Sequence, residues 1–88
     1  MKHELKCWPE PFQAVIDGRK RHEWRLDNRG YAVGDTLLLH EFDPHANYVL
    51  APEYRTIEVT VTYISRGQFG IPENYVVMSI QPKESRDA

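Results

Sequence analysis

The stretch from Arg55 to Ile64 constrains this chain more than any other. Ile57, Val59, Val61 and Tyr63 alternate with Thr56, Glu58, Thr60 and Thr62. A two-residue period rich in β-branched side chains suits a strand with one face on a core and the other toward water. Such a strand needs neighbours to cover its apolar face. Tyr75 to Gln81 supplies one, with Val76, Met78 and Ile80 on the core side. Thr36 to Phe42 is Leu-rich and strand-like. His3 to Cys7 places Leu5 and Cys7 on one parity and charged residues on the other. Arg19 to Leu26 reads as extended, with little apolar content.

One segment has a different period. In Pro9–Asp17, Phe12, Val15 and Ile16 have i, i+3, i+4 spacing, which makes an apolar stripe on a helix. Pro9 and Pro11 fit a first helical turn, where no intrahelical N–H is needed. Glu10 suits the positive end of the dipole. Gly18 stands where a helix end takes a left-handed residue. Asp27–Gly30, Gly34-Asp35, Asp43–Asn47 and Arg66–Gly70 read as turns or loops.

A chain of 88 residues holds one domain and buries only roughly 60% of the surface it exposes when unfolded. The sequence therefore predicts an α+β, mainly β fold over residues 1–82, with a polar tail at 83–88. The economical form is a small, partly closed β-barrel of about five strands, with one short helix near the N-terminus. A ligand would bind in a surface cleft or at the mouth of the barrel.

Eleven basic residues against thirteen acidic ones give a formal charge of −2, so any case for nucleic acid must be local. Cys7 is the single cysteine and can form neither an internal disulfide nor a zinc site alone. No secretory signal is visible, and no apolar run is long enough to span a membrane. The expectation is a cytoplasmic protein without cofactor or metal. His40, Glu41, Asp43 and His45 resemble metal ligands in type only: strand alternation splits the first two, and the loop has no defined spacing.

Five of the eleven basic residues lie between positions 19 and 29. A solvated, charged edge strand accounts for part of this. Two features go further. Arg25 and Arg29 bracket a turn beside Glu23 and Asp27, so ion pairs can fix the guanidinium directions. In an unbroken strand Lys20 would point away from Glu23 and Arg25, but a turn or bulge between them brings all three to one cleft. Trp24 sits inside this segment and Trp8 beside the start of the helix, and aromatic rings stack on bases.

Gly18, Lys20, Glu23 and Arg25 match the G-x-K-x-x-E-x-R signature of the ASCH superfamily, which the chain resembles from His3 to Ile80. The setting agrees: a helix before the signature and Val33-Gly34-Asp35 leading into a strand after it. His3–Lys6 and Tyr75–Ile80 look like a small ASCH-like subfamily of bacteria and phages. The resemblance implies a PUA-like barrel that binds RNA beside the signature, lined by Lys20, Glu23 and Arg25. With Trp24 and Arg29 these are the candidate ligand-binding residues. Lys and Arg meet phosphate, and a carboxylate accepts from base amino groups.

Some ASCH relatives remove an acyl group from modified cytidine. They resemble this chain at Lys20 but use a threonine where Glu23 stands. They also use a later glutamate, for which Glu73 is the nearest candidate. The leading expectation is therefore an RNA- or nucleotide-binding module. The alternatives are a small amidohydrolase acting on a modified nucleoside, with Lys20 and Glu23 as its acid–base pair, and a module that binds a protein partner.

Overall fold

The computed structural model of the chain describes residues 1–43 and 55–83. Five strands and one helix run in the order β1 (Lys2–Cys7), α1 (Pro9–Ile16), β2 (His22–Leu26), β3 (Thr36–Glu41), β4 (Thr56–Arg66) and β5 (Tyr75–Pro82). The fold is mainly β. All five strands join one sheet in the order β1-β3-β4-β5-β2, which curls into a half-barrel. β1 and β3 run parallel and every other pairing is antiparallel. The two edges are therefore β1 and β2, the strands on either side of the helix in sequence. The Asp43–Asn47 loop lies beyond residue 43 outside the described residues.

The core follows strand parity. Leu5 and Cys7 of β1, Leu37 and Leu39 of β3, Val59 and Val61 of β4, and Val76, Met78 and Ile80 of β5 are buried. Phe12 and Val15 of α1 join them. Ile16 departs from the expected stripe and is 42% exposed. A helix this short rests on the sheet along a narrow line, so its flanking position stays in water.

β4 departs from simple alternation. Its pairing with β5 is regular to Val61↔Ile80 and resumes at Tyr63↔Ser79, with the register shifted between. This β-bulge reverses the parity of the residues beyond it. Ile64 packs against the core, and Tyr63, expected inside, is 63% exposed on the outer face.

The Gly34-Asp35 turn is also anchored from within. Asp35 is buried, and His3 Nε2 donates to its Oδ2 at 2.8 Å while the Ala32 N–H donates to the same oxygen at 3.0 Å. The His3 and Tyr31 rings meet edge to face, 4.8 Å apart between centroids. The His3 bond, with further bonds from the Met1 amino group and Ala32, holds the Asp35 carboxyl down at about 2 against the opposing effect of burial.

Candidate functional site

The signature starts as a helix cap. Gly18 has φ 81°, a left-handed backbone that only glycine adopts without strain. Its N–H donates to the Val15 carbonyl, and the Arg19 N–H donates to the Ala14 carbonyl at 2.9 Å. This pair of bonds is a Schellman motif, which stops the helix and turns the chain back along it. Lys20 donates its own N–H to the same Ala14 carbonyl, so its backbone is fixed before β2 begins.

β2 then alternates. Glu23 and Arg25 face the inside of the curl, and His22, Trp24 and Leu26 face outward, each with more than a third of its surface exposed. Because Lys20 precedes the strand, strand parity does not bind it. Its Nζ lies 2.9 Å from Glu23 Oε2 and also donates to the His22 carbonyl. Arg25 Nε donates to Glu23 Oε1 at 2.9 Å. Arg25 Nη2 donates to the Lys6 carbonyl of β1 at 2.9 Å. One buried carboxylate, 3% exposed as a residue, thus lies between two part-exposed cations, each oxygen accepting from one of them.

An open cleft of about 300 Å³ lies over this cluster, in the seam between the two sheet edges. Lys6, Cys7, Trp8, Pro11, Lys20, His22, Glu23, Trp24 and Arg25 line it. Cys7 forms part of its floor, and burial, with Glu23 nearby, pushes the thiol up from its ordinary value. That thiol is a small apolar surface at neutral pH, not a nucleophile. Trp8 and Trp24 are both more than half exposed. A second depression, about 400 Å³, lies at Thr60, Thr62, Gln81, Pro82 and Lys83. It offers hydroxyls and one lysine near Glu58, without a buried charge to organise them.

Lys20, Glu23 and Arg25 thus converge, with Trp24 beside them on the outer side of β2. Arg29 does not join them. It is exposed on the following turn, and Asp27, which it was expected to neighbour, bonds Arg66 at 2.9 Å instead. Arg66 is the better match because β4 carries it to the same end of the sheet, where it also donates to the Tyr31 carbonyl. Glu73 is exposed on the β4–β5 connection and does not line the cleft. Of the superficial metal set, His40 bonds Glu4 and Glu41 bonds Arg55. No group of three or more potential metal ligands occurs among the described residues. The part of Lys6 escaped sequence reasoning because a backbone carbonyl leaves no trace in residue types.

The cluster can hold an anion. Arg25 has spent two of its five N–H donors and Lys20 two of its three. The remainder point from a pre-set frame with a net charge of one positive unit.

A family model described as Domain of unknown function (DUF3850) matches residues 2–80. An uncharacterised 12.9 kDa protein of Escherichia phage P2, from the GpA 3′ region, is 48% identical over 40 residues. That stretch is 46% of this chain and spans 37% of the phage protein's length.

Proposed function

The chain belongs to the DUF3850 family, and from that premise we propose that it is an RNA- or nucleotide-binding module of the ASCH type, its half-barrel a small PUA-like barrel. The single observation that carries this is the buried Glu23 carboxylate, which fixes Lys20 and Arg25 beside an open cleft rimmed by indoles. Fixed cations with unspent donors suit phosphate, and an exposed ring beside them suits a base. The same geometry favours holding an anion over moving a proton, since both oxygens of Glu23 already accept from a cation. That ranks the hydrolase reading second.

The test is titration of the purified protein with single-stranded RNA, structured RNA and mononucleotides at several salt concentrations. Affinity should fall as salt rises, with a slope of a few phosphate contacts. Lys20→Ala and Arg25→Ala should each weaken binding by roughly 1–3 kcal/mol. Wild-type protein that binds none of these ligands at low salt removes the reading.

A further inference from the structure

The bulge in β4 does more than bend a strand. Tyr63 now shares the outer face of the sheet with side chains of β5 and β2, as the pairings Tyr63↔Ser79, Trp24↔Val77 and Leu26↔Tyr75 require. Trp24 is 52% exposed and Tyr75 38%, and their rings lie 6.4 Å apart at a tilt of 57°. Three aromatic side chains therefore stand in water on one sheet face, one of them put there by a break in register. An alternating strand would have buried Tyr63, and bulges re-aim side chains at sites. Exposed aromatic surface of this kind marks a contact face.

Charge selects the partner. Along the β2 edge, which this face shares with the cleft, stand Arg21 and Arg29, both exposed, with Lys20 and Arg25 on the cleft side. Against these four cations the same stretch carries two acids, Glu23 on the cleft side and Asp27, which pairs with Arg66. The excess is positive on a chain whose formal charge is −2. Aromatic rings beside surplus cations fit a polyanion with exposed flat rings, which is single-stranded nucleic acid.

We propose that the outer face of β2, β5 and β4 is a stacking platform for unpaired bases of single-stranded RNA. Trp24 and Tyr75 form one station and Tyr63 a second. The platform rests on the reading of the cleft as an RNA site and extends it, since Trp24 belongs to both. The strand passes from the cleft, where Lys20 and Arg25 hold a phosphate, around the edge formed by β2 and onto the sheet. Ser79 stands across from Tyr63 in register, His22 stands across from Ser79, and both offer hydrogen bonds to base edges.

The experiment compares wild type, Tyr63→Ala, Tyr63→Phe and Lys20→Ala. Each is titrated with a single-stranded oligoribonucleotide long enough to span both stations, a duplex of the same length, and a mononucleotide. Circular dichroism checks folding, and sedimentation equilibrium gives the oligomeric state. Tyr63→Ala should lose roughly 5- to 150-fold in affinity for the single strand, the loss that goes with one stacking ring. It should bind the mononucleotide as wild type does, and Tyr63→Phe should keep the single-strand affinity. If Lys20→Ala weakens binding and Tyr63→Ala does not, the platform is refuted and the cleft stands. Equal wild-type affinity for duplex and single strand also refutes it. A dimer that Tyr63→Ala dissociates, with RNA affinity unchanged, makes this face a contact between copies of the chain. If wild type binds no probe, the cleft and the platform fall together.

Discussion

Arg25 of β2 donates to the backbone carbonyl of Lys6 of β1 at 2.9 Å, although the two strands share no ladder and stand at opposite edges of the sheet. The same guanidinium holds Glu23. One side chain therefore sets both the width of the seam and the direction of the charge within it. Arg25→Ala should lower stability by about 1–3 kcal/mol, because Glu23 loses a partner and the seam loses its bridge. Arg25→Lys should recover only part of this, since an ammonium has no fork to reach both acceptors. Urea denaturation measures it, and midpoints equal to wild type for both variants would show that the bridge contributes nothing.

Glu23→Gln separates a built cleft from a basic surface. Plain phosphate attraction predicts tighter RNA binding once a negative charge is gone. A cleft in which Glu23 aims Lys20 and Arg25 predicts weaker binding, by about 1–3 kcal/mol, as the two cations lose their fixed directions. Folded Glu23→Gln protein with higher affinity than wild type would leave only the surface.

Val61 and Tyr63 share parity in sequence but not in environment. Val61 is 1% exposed and Tyr63 is 63% exposed. Val61→Asp buries an unpaired charge and should cost more than about 4 kcal/mol, enough to unfold a domain of this size. Tyr63→Thr should change stability by no more than about 0.5 kcal/mol. Thermal melts decide: a large loss for Tyr63→Thr would place that ring in the core and remove the bulge.

Asp35 gives the acid side of stability a definite shape. Its folded pKa is about 2, below the ordinary 3.8. On acidification the unfolded chain takes up this proton first. The contribution is therefore complete above about pH 4 and is lost as pH falls toward 2. Asp35→Asn should be less stable at neutral pH and should lose stability less steeply between pH 4 and pH 2. Parallel acid limbs for wild type and variant would show that His3 and Ala32 do not hold the carboxyl down.

Much of this was legible in the sequence because it depends on neighbours along the chain. Period-two alternation located β1, β4 and β5, and the glycine after the Phe12–Val15 pair marked the helix end. The mismatch of parity between Lys20 and Glu23 pointed to their convergence. The remainder depends on partners distant in sequence. Nothing in residues 61–63 announces a bulge, which arises from fitting β4 to β5. Asp27 pairs with Arg66 and not with Arg29 because the sheet brings residue 66 close. Asp35 reads as a turn residue until the β1–β3 pairing sets His3 beside it.

The sheet order also has a consequence for the time at which the site exists. β2 carries Glu23 and Arg25, and its one ladder partner is β5, whose first residue is Tyr75. During synthesis the signature leaves the ribosome before β5 and has no ladder partner until some fifty residues later, as the distance from Glu23 to Tyr75 in the sequence shows. β1 must likewise wait for β3 before its parallel ladder can form. The two halves of the seam are thus brought into place by different, later strands. A nascent chain stopped before β5 contains every residue of the signature and the helix cap at Gly18, but not the ladder that turns Glu23 and Arg25 inward, so the cluster and the sheet are completed in the same event.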